Sequence, residues 1–199
     1  MSATGSASVV VPVSSSRRDQ ILATAAALFA EHGYHGVSVG ELCAACGVSG
    51  PALYRHFASK SAVLAEMLVA ISDRLLVEGR SRVAAARERA DRTAALTAAV
   101  GWHVEFALDN PDLIVVQERD WAALPDDARD QVRRLQRRYV EVWVEELRRL
   151  RPELEPAVAR ARVQATFGLL NSTPHSARIG RSAMAGLLER MAMAALLAN

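Results

Sequence analysis

The side chains best suited to binding chemistry lie close together in the sequence, between residues 38 and 60. Six of them can hydrogen-bond to a phosphate or place a helix N-terminus against one: Ser38, Ser49, Tyr54, His56, Ser59 and Lys60. Helix N-termini carry unpaired N–H groups and a partial positive charge, and serine is favoured in front of them. The segment therefore predicts contact with a phosphate backbone.

Cys43 and Cys46 offer a different chemistry, because His32 and His35 lie near them in the sequence. Zinc needs four ligands that converge on a tetrahedron, whereas these cysteines share one packed helix and the histidines lie at a helix end and in a loop. We predict buried structural thiols and no metal, and redox sensing is the remaining alternative.

The sequence contains none of the catalytic motifs that we searched for. It lacks the Glu-x-x-His pairs of di-metal bundles, a phosphate-binding glycine loop, a Gly-x-Ser-x-Gly elbow and a His-Glu-x-x-His pair. We therefore predict that the protein is not an enzyme and needs no cofactor.

Helix start and stop signals position the phosphate-binding side chains. An amphipathic helix begins near Arg17 and ends at Gly33. A second helix follows Ser38, whose capping-box partner is Glu41, and stops at Gly47. Arg17, ahead of the first helix, can reach a DNA backbone or minor groove beside the segment.

A third, short helix is capped by Ser49, carries Pro51 in its first turn and ends near Phe57, and Ser59 caps a longer fourth. Two short helices joined by a turn at Gly47 have the spacing of a helix-turn-helix, whose second helix enters a DNA major groove. The residues predicted to face inward are Leu42, Ala45, Val48, Leu53 and Phe57. Those predicted to face the DNA are Ser38, Val39, Ser49, Gly50, Pro51, Ala52 and Tyr54.

The stretch from Arg17 to about Leu68 resembles the TetR family of bacterial transcriptional regulators. The matching segments are Leu28 to Tyr34, Gly47-Val48-Ser49, Leu53 to Phe57, and Ser59-Lys60. Departures from the family pattern include Val37 in place of the usual threonine, cysteine at positions 43 and 46 where alanine is common, and Ser61 in place of the usual glutamate. The resemblance implies operator binding, a divergent helical ligand domain and dimerisation through the last helices.

Composition fits one all-α protein. The 199 residues are 51% hydrophobic with a net charge of +2, no apolar run is long enough to cross a bilayer, and the two cysteines favour a reducing, cytoplasmic interior. We predict a disordered tail over residues 1–16, a three-helix DNA-binding domain over 17–62, and a bundle for ligand binding and dimerisation over 63–199. About nine helices are predicted in all, and no membrane contact.

Aromatic residues in the second part of the chain are interpreted as walls of a ligand cavity, with ordinary bundle core as the alternative. The predicted pocket residues are Trp102, His103, Phe106, Trp121, Trp143, Phe167, Leu170 and Asn171. Small residues recur at helical spacing along the penultimate long helix, and an apolar stripe marks the last one. The predicted dimer-interface residues on these helices are Ala161, Ala165, Leu187, Leu188 and Met191.

Together these patterns predict a ligand-responsive regulator, more specifically a repressor. It binds a palindromic operator as a homodimer and is released by a small hydrophobic effector such as a fatty acyl-coenzyme A or another lipid metabolite. The alternative is a DNA-binding activator or architectural protein that takes no small ligand.

Overall fold

The computed structural model describes residues 16–198, and the regular secondary structure in this range is helical, without a strand. Its α-helices are α1 Arg17–His32, α2 Val39–Cys46, α3 Gly50–His56, α4 Lys60–Arg87, α5 Ala94–Asp109, α6 Pro111–Arg119, α7 Asp126–Leu150, α8 Pro156–Leu170, α9 Thr173–Ser176 and α10 Arg181–Leu197. A 3-10 turn, Trp121–Ala123, links α6 to α7. Nine of the helices in the described range exceed a single turn, which confirms the predicted all-α class and helix number.

The predicted helix boundaries around the helix-turn-helix are confirmed. Ser38 and Glu41 form a reciprocal capping box in front of α2, and the Ser49 and Ser59 side chains accept hydrogen bonds from the third backbone N–H that follows each of them. Gly47 ends α2 with φ of 61°, a left-handed conformation that glycine adopts without strain.

The prediction of a tail over residues 1–16 lies outside the described residues except at its last position. Ser16 is the N-cap of α1 and forms a capping box with Asp19, so it belongs to the first helix.

Helix α4 runs without interruption across the predicted boundary at residues 62 and 63. Its first half packs with α1, α2 and α3 in one apolar cluster, which also takes in Val116 of α6 and Ala128 and Val132 of α7. Its second half packs with α5, α7, α8 and α10 in a second cluster around the fully buried Trp143. The helix-turn-helix is thus joined to the bundle by a shared helix.

One inward-facing prediction is wrong. Ala45 is exposed, whereas Cys43 and Cys46 are buried and complete the helix-turn-helix core beside Leu42. On an eight-residue helix the buried positions 42, 43 and 46 follow the i, i+1, i+4 pattern of one face, and position 45 falls outside it.

Within residues 16–198, no helix has both the length and the apolar character that a membrane span requires.

Candidate nucleic-acid interface and effector cavity

The α2–α3 surface presents the side chains predicted to face DNA. Ser38, Ser49, Pro51 and Tyr54 are exposed, and Tyr54 keeps 54% of its surface accessible, high for an aromatic residue outside an interface. Val39, Gly50 and Ala52 of this set are half-buried, and so are His56 and Lys60, which are predicted to hydrogen-bond to phosphate. Gly50 has no side chain and Ala52 has only a methyl group, so the backbone of α3 can lie close to another surface here.

Arg17 lies beside the helix-turn-helix turn and fixes it. Its Nη2 donates to the carbonyl oxygens of Cys46 at 2.7 Å and Gly47 at 3.0 Å, where α2 ends. Those carbonyls lack partners within the helix, so the guanidinium satisfies them. Arg17 is still exposed, and its role at the DNA backbone stays a prediction.

Arg18 holds α3 against α1 and α4. Its guanidinium forms a two-pronged ion pair with Glu66 of α4, donates to the carbonyl oxygen of His56, and lies 4.4 Å from the centre of the Phe57 ring. The hydrogen bond to Glu66 raises the pKa of Arg18. Three helices therefore meet at this one side chain.

Lys60, predicted to bind phosphate, is engaged within the chain. Its Nζ donates to the carbonyl oxygens of Tyr34 at 2.8 Å and Val37 at 2.5 Å, and it lies 4.2 Å from the centre of the Tyr34 ring. An ammonium has three donors, so one remains for a phosphate. Replacing Lys60 would therefore disturb the α1–α2 loop as well as any DNA contact, and Tyr54 offers a cleaner test.

Cys43 and Cys46 are buried in the apolar cluster around the helix-turn-helix. Burial raises the pKa of the Cys46 thiol, which keeps it protonated and unreactive. The described residues contain no group of three or more side chains placed to hold a metal ion.

A cavity of about 210 Å³ lies between α4, α5, α6, α7 and α8. Four predicted pocket residues line it: His103, Phe106, Phe167 and Asn171. Tyr139, one of the aromatic residues in the second part of the chain, lines it as well. The lining residues that the sequence did not single out are Ile71, Leu75, Leu113, Ile114, Gln117, Glu118, Gln136 and Val140. A more open cleft of about 380 Å³ beneath α1 shares Ile71 and Leu113 with this cavity.

Three rings form one wall of the cavity. The ring centres of Phe167 and His103 are 4.8 Å apart, those of Phe167 and Tyr139 5.6 Å, and those of His103 and Tyr139 5.8 Å, so each ring packs against the other two. The His103 Nε2 lies 3.0 Å from the Oδ1 of Asn171. Burial lowers the pKa of His103 to about 4, against the smaller opposing effect of that hydrogen bond, so the ring is neutral at pH 7.

Four predicted pocket residues lie elsewhere. Trp143 and Leu170 are fully buried in the bundle core, Trp102 donates to the Leu75 carbonyl oxygen from the far side of α4, and Trp121 packs against the cluster beneath the helix-turn-helix. Trp143, Leu170 and Trp121 are thus ordinary packing residues, whereas Trp102 also lines a separate surface cleft beside Arg82. Residue type alone does not tell which face of a buried helix meets a void.

Gly79 of α4 packs directly against the Tyr139 ring of α7. The only sign of this contact in the sequence is a glycine inside a helix. A Cβ at position 79 would lie 2.6 Å from Cε2 of Tyr139, closer than real side chains pack. The missing side chain lets α4 and α7 approach at this point.

Helix α6 links the cavity to the helix-turn-helix. Its middle turns carry Ile114 and Gln117 into the lining, and at its C-terminal end Arg119 donates to the Phe29 carbonyl oxygen of α1. The next residue, the buried Asp120, accepts a hydrogen bond of 3.1 Å from the backbone N–H of Tyr34.

The predicted dimer-interface residues divide between surface and core. Ala161, Ala165, Leu187 and Met191 are exposed on α8 and α10, and Val158 extends this apolar face. Leu188 is only 2% exposed and lies in the protomer core, so its assignment to the interface is wrong. On α10 the buried residues recur at positions 184, 188, 192 and 196, which face the protomer's own core.

Known proteins resemble both parts of this chain. A sequence model for "Bacterial regulatory proteins, tetR family" matches residues 21–67, and one for "Tetracyclin repressor-like, C-terminal domain" matches residues 89–175. The transcriptional activator FasR of Mycolicibacterium smegmatis is 33% identical over 113 residues, 56% of this chain and 50% of FasR. The transcriptional repressor KstR2 of Mycobacterium tuberculosis is 38% identical over 68 residues, 34% of each chain. The matches span half or less of these relatives.

The fold has solved counterparts across nearly the whole chain. A TetR-family transcriptional regulator from Bordetella parapertussis has a TM-score of 0.79 at 29% identity, covering 92% of this chain and 94% of that one. The structure thus defines an all-α protein in which a helix-turn-helix is fused to a helical bundle that encloses a cavity. The chain belongs to the TetR family of bacterial regulatory proteins.

Proposed function

We propose that the protein is a ligand-responsive transcriptional regulator. It binds a palindromic operator as a homodimer through α2 and α3, and a small effector in the cavity releases it. The observation that carries this proposal is the continuity of α4, which begins at the helix-turn-helix with Lys60 and forms the cavity wall with Ile71 and Leu75. A ligand that repositions this wall repositions the helix-turn-helix with it.

Helix α6 offers a second physical connection. A ligand that displaces Ile114 or Gln117 acts on the helix whose end holds Phe29 and Tyr34. Such a ligand changes DNA affinity only to the extent that it binds the two conformations differently. The proposal therefore needs a second conformation, in which the helix-turn-helix is displaced and the ligand binds with a different affinity.

The exposed apolar face of α8 and α10 supports dimerisation. Val158, Leu187 and Met191 are 45%, 36% and 43% exposed. The small residues Ala161 and Ala165 lie exposed on the same pair of helices. A second copy covering this face by two-fold symmetry would form a four-helix interface and present two helix-turn-helix units to one duplex.

Repression is the proposed direction of regulation, with activation as the second candidate. KstR2 is named a repressor and FasR an activator, so the family relationship supports either. A reporter gene behind the operator distinguishes them: deletion of the regulator raises expression under repression and lowers it under activation.

Selection of duplexes from a random pool tests the DNA-binding proposal and identifies the operator in the same experiment. The proposal expects a palindrome whose half-site centres lie about one helical turn, roughly 34–36 Å, or a multiple of it, apart. Recovery of sequences without two-fold symmetry, or binding that is insensitive to sequence, would favour the architectural alternative.

A further inference from the structure

Two lining residues of the cavity carry a buried polar atom without a hydrogen-bond partner in the described part of the chain: Nδ1 of His103 and the hydroxyl of Tyr139. Of the two, Nδ1 of His103 is the one whose role as an acceptor is fixed by a neighbour. His103 is 4% exposed, and its Nδ1 has no hydrogen-bond partner anywhere in the described part of the chain. Its Nε2 lies 3.0 Å from Asn171 Oδ1, an oxygen that can only accept, so Nε2 carries the proton and Nδ1 is a free acceptor. A buried acceptor left unpaired is unfavourable, and a ligand that donates to it removes that cost.

The charge of the lining restricts the ligand further. Among the described lining residues, Glu118 is the one with a formal charge, and no arginine or lysine faces the cavity. A carboxylate or phosphate buried there would lack a counter-charge and would be repelled by Glu118. The part of the ligand that enters the cavity is therefore uncharged.

The size of the cavity and the shape of its lining restrict the ligand as well. A volume of about 210 Å³ is below the roughly 300–1,000 Å³ of pockets for drug-sized ligands, and equals about seven water molecules. His103, Phe167 and Tyr139 give the lining three nearly parallel aromatic rings, and a planar, aromatic ligand packs well beside such a group.

We propose that the effector is a small uncharged phenol or aromatic alcohol whose hydroxyl donates a hydrogen bond to Nδ1 of His103. This inference rests on the proposed effector role of the cavity and specifies its ligand class. It also separates the ligand from free fatty acids, whose carboxylate has no partner here.

Calorimetric titration of the full chain with three probes of similar shape tests the inference. The probes are 4-methylphenol, toluene, which lacks the hydroxyl, and 4-methylbenzoate, which carries a charge. We expect 4-methylphenol to bind about tenfold more tightly than toluene, the size of one neutral hydrogen bond, and 4-methylbenzoate not to bind. Equal binding of toluene and 4-methylphenol, or tighter binding of 4-methylbenzoate, would overturn the inference.

His103→Phe keeps an aromatic ring in the stack and removes the acceptor, so the preference for 4-methylphenol over toluene should disappear. The matched control is His175→Phe, the same change at an exposed residue outside the cavity lining. If the preference survives in His103→Phe, the hydroxyl binds elsewhere and the inference is wrong.

A measurement on the unaltered protein covers the case in which His103→Phe does not fold. In nitrogen NMR of the histidine rings, 4-methylphenol should shift the Nδ1 resonance of His103 and toluene should not. DNA binding is measured separately by fluorescence anisotropy without any probe. Loss of the ligand pattern with intact operator binding refutes this inference alone. Absent operator binding with the ligand pattern intact refutes the regulator proposal, and with it the effector role, but leaves the site for a phenol at His103.

Discussion

The buried carboxylate of Asp120 accepts a hydrogen bond of 3.1 Å from the backbone N–H of Tyr34, which joins the end of α6 to the loop between α1 and α2. Lys60 holds the same loop from the other side through the Tyr34 carbonyl oxygen. The N–H of Tyr34 is thus held by the end of α6, and its carbonyl oxygen is held by the start of α4. The loop that positions α2 depends on both contacts.

Asp120→Ala removes the acceptor and leaves the Tyr34 N–H buried without a partner. We expect the free energy of unfolding to fall by about 1–3 kcal/mol, the cost of an unsatisfied buried donor, with weaker operator binding. Thermal and denaturant unfolding give the first quantity and fluorescence anisotropy the second. Asp73→Ala, at an exposed position on α4, is the control and should change neither. Equal behaviour of the two variants would show that the contact does not position the loop.

Gly79→Ala tests the close approach of α4 and α7. The new methyl group would lie 2.6 Å from the Tyr139 ring, so α7 must shift, and overpacking of this kind costs about 1–3 kcal/mol. Gly101→Ala is the matched control, because its Cβ meets only a Glu189 carboxylate oxygen at 3.8 Å. Replacing a helical glycine there should stabilise the protein by up to about 1 kcal/mol. A Gly79→Ala protein as stable as the wild type would contradict the packing described here.

The low pKa of His103 predicts a pH dependence of stability. The folded protein protonates this ring only near pH 4, whereas the unfolded chain does so near pH 6.5, so the unfolded state binds more protons between these values. Stability should therefore fall as the pH drops from about 6.5 to 4, by about 3 kcal/mol from this group. The free energy of unfolding of the wild type and of His103→Phe is measured with denaturant at each pH. The difference between the two isolates the contribution of His103 from that of the carboxylates. A difference that is constant over this range would mean that the ring is not buried.

Met191→Arg tests the proposed dimer interface. The side chain is 43% exposed in the protomer, so the variant should fold, but an arginine placed in a two-fold apolar interface has no partner. We expect monomers in sedimentation and a loss of at least about a hundredfold in operator affinity, since one helix-turn-helix engages one half-site. Val77→Arg, at an exposed residue of α4, is the control and should remain dimeric. A Met191→Arg protein that stays dimeric would place the interface elsewhere.

The helix boundaries of the helix-turn-helix were predicted well, because the residues that start and stop each helix are close neighbours in the sequence. Ser38, Glu41 and Gly47 define α2 through hydrogen bonds and backbone angles that involve neighbours in the chain. The cavity was predicted only in part, because residues such as Gln117 of α6 and Gln136 of α7 reach its lining through packing between helices, which leaves no local signal in the sequence. Leu188 was misassigned for a related reason: an apolar stripe on α10 does not reveal whether its partner is α5 of the same chain or a second copy.

Operator binding by the exposed face of α3 is the central claim, and Pro51→Glu tests it most directly. Pro51 is exposed at the start of α3, where glutamate suits the helix but faces the DNA phosphates with a negative charge. Val77→Glu places the same charge at an exposed position on α4, outside the α2–α3 surface. With the selected palindromic duplex, fluorescence anisotropy should show at least about a hundredfold weaker binding for Pro51→Glu and wild-type affinity for Val77→Glu. Wild-type affinity in Pro51→Glu would contradict the account.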